Sequence, residues 1–409
     1  MSKATAVHPV NTASKLDEFR NGWPILLACL LGCGLGVSSL PLYTAGTFMP
    51  KLQTQFGWSR GELSTAILIF TLTLAAASPV VGRLVDRIGV RRAAASSIIA
   101  ASVCYLALGT HLSSLWGYYA LHAIIAALGA AAAPVAYTRI ITAHFHQSKG
   151  LALGITLLGP SLAATFAPAA FSQIIAQAGW ASGYIALAGL TAAMLPFLML
   201  IKAVDSRNSD GGTATTVQSN HDPAQRKTIF FTLLCGLALF SLGIGGLIVH
   251  LVPMLIDAGM EPLKASSIAG LIGISGIVGR LVGGALADRI FAPYVLIGVA
   301  TAAAVGCTLL ALVGASAAVP AALAIGFSLG AEADLMGYLV ARYFGSRSYG
   351  KVFGWQYAAF IAGIGLSPLM LGKFHDATGS YSSALGICTL LLTGSIVAFA
   401  NLPKFKTHA

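Results

Sequence analysis

The chain has 409 residues, of which 56% are hydrophobic and only 9% charged, and its mean hydropathy is +0.81. A soluble domain carries about a quarter charged residues, so this composition excludes a soluble enzyme and leaves an integral membrane protein. The apolar runs are about 20 residues long, the length of a membrane-crossing helix and not of a barrel strand.

Taken in order, residues 1–20 are polar and mixed in charge, unlike a cleaved leader, and read as a tail. Span 1 falls within 21–50, between Arg20 and Lys51, and span 2 within 63–82, between Glu62 and Arg83. The uncharged stretch 93–138 holds spans 3 and 4, broken near Gly-Thr-His-Leu-Ser-Ser. Residues 150–201 hold spans 5 and 6, broken at Gln-Ala-Gly-Trp-Ala-Ser-Gly. Residues 203–227 are polar and rich in Ser, Thr and Gly, the composition of a linker. Span 7 lies in 228–256, span 8 in 265–287, spans 9 and 10 in 290–341, span 11 in 352–372 and span 12 in 377–403. The expected fold is therefore an all-α membrane protein of twelve transmembrane helices. Its parts are a tail 1–20, a six-helix half 21–202, a linker 203–227, a second half 228–403 and a tail 404–409.

Both termini are expected on the cytoplasmic side of an inner membrane. In that orientation the opposite segments hold only Lys51, Arg60, Lys264 and Lys373, and the remaining loop lysines and arginines face the cytoplasm. Positive charge retained inside is what orients transmembrane helices. The net charge of +11 thus reports topology and not a nucleic-acid partner. Cys29, Cys33, Cys104, Cys235, Cys307 and Cys388 all lie in apolar runs and read as small buried hydrophobes. No disulfide or metal-ligand spacing, P-loop or nucleophile elbow appears, so no metal or cofactor is expected.

The halves repeat each other. GRLVDRIGVRR after span 2 matches GALADRIFAP after span 8, with Gly82 over Gly284 and Asp86 over Asp288. Tyr137 in span 4 falls over Tyr338 in span 10, and Pro168 in span 5 over Pro368 in span 11. An offset held near about 200 residues marks two parallel six-helix repeats, the layout of transporters that rock one half against the other.

These motifs resemble the major facilitator superfamily, most closely in the loop GRLVDRIGVRR, with GALADR as its weaker copy. FGWSRGELSTA (56–66), KGLALGITLLGPSLA (149–163), YGKVFGWQYA (349–358) and an arginine in mid-span 8 are similar to its monocarboxylate and oxalate/formate branch. The resemblance implies that Asp86 and Asp288, with the basic groups Arg87, Arg139 and Arg342, latch the cytoplasmic side shut in the outward-facing state. Eukaryotic members of the branch carry an acid at the start of span 1 and often an aspartate one turn before the span 8 arginine. Here those places hold Asn21 and Gly276, so proton coupling cannot run through those acids.

The candidate site centres on Arg280. It lies eight residues before Asp288, roughly 12 Å into span 8. An arginine at that depth costs about 2.5 kcal/mol or more and faces a water-filled cavity or a carboxylate. It reads as the anchor for the carboxylate of a small organic anion, or alternatively as one half of a fixed salt bridge. Glu332 and Asp334 are the carboxylates inside span 10, about 15 Å and 12 Å from the Arg342 end. Either is a candidate proton-coupling group, Glu332 being the deeper; a static pair or packing bond is the alternative. Tyr43, Tyr137, His250, Tyr338, Gln356 and Tyr357 supply polar tips at cavity depth and complete the candidate substrate-binding set. His122 in span 4 reads as a packing residue.

The expected function is secondary transport of a small organic monocarboxylate, lactate- or pyruvate-like or aromatic, with a proton, by alternating access. The partners are that anion, a proton and the lipid bilayer, with the protein acting as a monomer. An anion exchanger of oxalate/formate type, a proton-driven exporter of amphipathic compounds and a transporter-like sensor are the alternatives.

Overall fold

The computed structural model describes residues 15–145, 148–200 and 223–405. Within them the side chains of residues 15–17, 78, 79, 81–83, 85, 86, 135, 139, 223, 333, 346 and 347 are outside the description. Most of the expected linker 203–227 and of both tails also lies outside the described residues.

Every described element is a helix. Nine stretches are long and apolar enough to cross a membrane, by length and composition. Two of them, Lys149–Leu200 and Ala292–Gly345, have 52 and 54 residues and each crosses twice. The first folds back at Gly179, whose φ of 83° only glycine adopts readily, and the second at the short turn 314–317. Span 1 adds the last crossing, giving twelve. It is split into Lys15–Gly34 and Leu40–Phe56, so neither piece alone counts as a span. Spans 10 and 11 run on as Ala318–Thr378, turned sharply at Gly345, where φ is 72°.

The apolar side chains gather into two cores. One is drawn from residues 25–198 together with Val249, the other from residues 229–402. Val249 in the first core marks where span 7 (Pro223–Asp257) leans on span 1 across the boundary. Span 2 (Arg60–Ile88) packs on span 11, and span 8 (Pro262–Ala287) packs on the first part of Gly159–Ala192, which belongs to span 5. Cys29, Cys33, Cys104, Cys307 and Cys388 are buried, whereas Cys235 is exposed, contrary to its expected burial. An apolar run is lined by lipid on one side and protein on the other, and its sequence does not say which side a cysteine takes.

Span 8 lies between two neighbours at near-contact distance. A Cβ on Gly270 or Gly273 would collide with Thr165 or Ser161 of span 5, and one on Gly279 or Gly283 with Phe327 or Ala331 of span 10. Small residues at such faces let backbones approach, and dispersion then holds the helices together without a hydrophobic driving force. Gly284, which the repeat sets under Gly82, has open space around it, and its neighbour Gly283 makes the contact. The packing of Gly82 lies outside the description.

Three crossings of the first half are interrupted in mid-membrane, which the sequence did not announce. Span 1 breaks at 35–39, where Ser39 Oγ donates to the Cys33 carbonyl at 2.7 Å. Span 4 breaks between Leu115–Gly129 and Pro134–His144, and span 5 between Lys149–Thr156 and Gly159. The breaks touch one another: a Cβ on Gly34 would meet the Gly159 carbonyl, and one on Gly36 the Ala132 carbonyl. Non-helical backbone at membrane depth is tolerated where protein covers it.

Candidate functional site

Arg280 sits one position beyond the tight Gly279–Phe327 contact, so the span 8–span 10 packing sets its height against span 10. Its Nε lies 3.5 Å from Asp334 Oδ2. The two side chains are 17% and 37% exposed, so the pair borders accessible space instead of being sealed. Arg280 Nε makes no hydrogen bond among the described residues. At 3.5 Å the pair is electrostatic and lacks the two parallel bonds of a bidentate arginine–carboxylate fork.

Two residues apart on a helix, Glu332 and Asp334 point in different directions. Glu332 is fully buried, and both its carboxylate oxygens lack a donor among the described residues. Arg280 and Asp334 are the pair that the geometry brings together, across spans 8 and 10, with Glu332 two residues before Asp334 on span 10.

The other candidates lie elsewhere. Tyr137 is fully buried in the first core against Gly32, its hydroxyl unbonded among the described residues. Gln356 is fully buried and donates from Nε2 to the Phe230 carbonyl at 3.1 Å, tying span 11 to span 7. Tyr338 stacks under the Arg342 guanidinium, 5.9 Å from its ring centre, and Phe405 takes the same cation at 5.0 Å. His250 is fully buried in a hydrogen-bonded network near the end of the molecule away from the termini. His122 is buried with Nδ1 2.9 Å from the Tyr118 carbonyl, a packing residue as expected.

Among the proposed gate residues, Arg87, Asp288 and Arg342 are exposed. The side chains of Asp86 and Arg139 lie outside the description, so their pairing is not placed. An apolar cavity of about 210 Å³ between spans 1 and 5, lined by Leu31, Leu35, Phe166 and Phe171, carries no charged group and is separate from the Arg280–Asp334 pair.

The family model described as Major Facilitator Superfamily matches residues 31–368. The chain belongs to the Major Facilitator Superfamily. This transporter is similar to monocarboxylate transporter 13 of Rattus norvegicus, at 24% identity over 94% of this chain and 89% of the relative. It is also similar to an MFS-type transporter of Gibberella moniliformis, at 26% identity over 89% and 86% of the two chains. Two solved structures share its fold. One is a bacterial homolog of the human lysosomal transporter Spinster, with a TM-score of 0.69 at 17% identity over 95% and 96% of the chains. The other is the nucleoside transporter NupG, with a TM-score of 0.71 at 12% identity over 93% and 99%. The protein is a multi-pass membrane transporter and not an enzyme.

One group of this transporter escaped the sequence reading. Arg60 appeared there as a loop residue, yet it is 5% exposed and bonded to the second half. The signal was faint but present: few basic residues lie on that side, and this one stands where span 2 begins.

Proposed function

We propose that the protein carries a small organic monocarboxylate together with a proton across the inner membrane, by alternating movement of the halves 21–202 and 228–403, with both termini cytoplasmic and the single chain as the working unit. The observation that carries this reading is the Arg280–Asp334 pair, at membrane depth, partly exposed and without bidentate bonding. An arginine fork accepts a carboxylate through two parallel, charge-assisted bonds. A substrate carboxylate that engages Arg280 in this way offers more than Asp334 does and displaces it.

Asp334, only partly exposed, then loses its counter-charge. An unpaired buried carboxylate is costly and is relieved by taking a proton. Substrate binding and proton uptake are thereby linked at one arginine. Glu332, the neighbouring acid without a donor, is the second proton-coupling group of this scheme. In this scheme Tyr43 and Tyr357, from opposite halves, contact the body of the substrate. Similarity to monocarboxylate transporter 13 supports the substrate class.

The test is uptake of a panel of carboxylic acids into proteoliposomes, with and without an inward proton gradient. Wild type should accumulate at least one acid when the gradient is imposed. Arg280→Lys keeps the charge but loses the planar fork, and uptake should fall by about tenfold or more. Equal uptake by this variant would make Arg280 a scaffold residue. Accumulation indifferent to the gradient would point to anion exchange.

A further inference from the structure

At the end away from the termini, Arg60 of the first half is gripped by three spans of the second. Its guanidinium holds both oxygens of Asp257, the last residue of span 7, at 2.5 and 2.6 Å. Its Nη1 also donates to the Tyr381 hydroxyl, just before span 12, at 2.6 Å. Its Nε is steadied from within its own half by Gln53 Oε1 at 3.1 Å. The backbone N–H groups of Arg60 and Gly61 donate to the two oxygens of Asp376, near the end of span 11, at 3.0 and 2.8 Å. The first turn of span 2 is thus capped by a carboxylate from the other half.

The chain of bonds continues inward and has a direction. The Pro368 carbonyl, 2.9 Å from His250 Nε2, can only accept, so that nitrogen carries the hydrogen. His250 Nδ1 then accepts from the Tyr381 hydroxyl at 2.9 Å, leaving the tyrosine oxygen free to accept from Arg60. Ser64 Oγ of span 2 shares the Nε2 hydrogen at 2.9 Å. Below this cluster spans 1 and 7 meet so closely that a Cβ on Gly46 would strike the Val249 carbonyl. Asp257 is 39% exposed, so the network ends at water.

We infer that Arg60 is the latch of the gate at this end: its bonds to Asp257, Tyr381 and Asp376 hold the halves together there, and the candidate site opens only toward the termini. These bonds must break together for the opposite state to form, because one guanidinium makes most of them. Arg60 is buried, so breaking its bonds leaves its charge without a partner away from water, and the closed end is cooperative. His250 is a positioning residue in this gate, setting the direction of the tyrosine hydroxyl.

The experiment measures distances between spin labels, by pulsed electron resonance on the whole protein in lipid nanodiscs. Labels at the exposed positions Gln55 and Lys264 report on the two halves at the latched end. Wild type should give one short distribution. Arg60→Ala should raise the longer-distance population by more than about tenfold relative to wild type. Asp257→Asn and Asp376→Asn should do so by less, since each leaves part of the network. These asparagine variants keep size and position, so they stand as the test if Arg60→Ala fails to fold. Unchanged distributions in the variants that fold would overturn the latch. The readout is geometry and needs no substrate, so it stands or falls apart from the carboxylate scheme.

Discussion

Glu332 is hard to justify on stability alone. It is fully buried and neither oxygen finds a donor among the described residues. Burying a polar group without a partner costs about 1–3 kcal/mol on protein scales. Glu332→Met keeps the length and removes the polar atoms, so it should raise stability by about 1–3 kcal/mol. Thermal unfolding in detergent would read the gain, and uptake measured on the same preparation should show a weaker dependence on the proton gradient. A variant less stable than wild type would mean that Glu332 has a structural partner. The three charges Arg280, Glu332 and Asp334 were legible in the sequence because a charge inside an apolar run stands out. Which way each points was not. Transmembrane helices are apolar all round, so no polar face orients Tyr137 or Gln356, and the structure buries both fully. Arg60 was misjudged for the converse reason: it stands at a span boundary, where a charge looks ordinary.

At the scale of the helix, charges and turns marked the ends of the spans, and all twelve were placed from the sequence, span 1 included though the structure splits it in two. The interruptions inside spans 1, 4 and 5 were invisible because no charge marks them and 46 glycines offer too many possible sites. Contact decides which glycines matter. Gly279 backs directly on the Phe327 carbonyl, whereas Gly284 faces open space. Gly279→Ala should therefore cost about 1–3 kcal/mol through overpacking, and it should push span 8 away from span 10 and loosen the Arg280–Asp334 approach. Gly284→Ala should change stability by less than about 0.5 kcal/mol, since it fills empty space at an unremarkable position. Thermal unfolding of the two variants side by side checks the contrast. Equal effects would mean that the span 8–span 10 contact is looser than described.

The proposed carboxylate–proton scheme adds a constraint at the scale of the whole transporter: in that scheme the halves move most easily when the site is neutral. With Arg280 paired to Asp334 and Glu332 holding its proton, the empty site carries no net charge. With a carboxylate on Arg280 and a proton on Asp334, the loaded site is neutral again. An anion bound without the proton leaves a net negative charge, and a charge at bilayer depth costs about 2.5 kcal/mol or far more. Both resting and loaded forms can therefore reorient, and the half-loaded form is held back. Asp334→Asn breaks this symmetry in one direction. Its loaded site, Arg280 with a carboxylate, is still neutral, but its empty site holds an unpaired arginine. The variant should exchange labelled for unlabelled substrate at a rate within about threefold of wild type, while net uptake falls by about tenfold or more, because the empty return carries the charge penalty. Counterflow and gradient-driven uptake, measured on one batch of proteoliposomes, separate the two. Loss of both would assign Asp334 to substrate binding or folding. Retention of both would move proton coupling to Glu332, the remaining carboxylate within span 10.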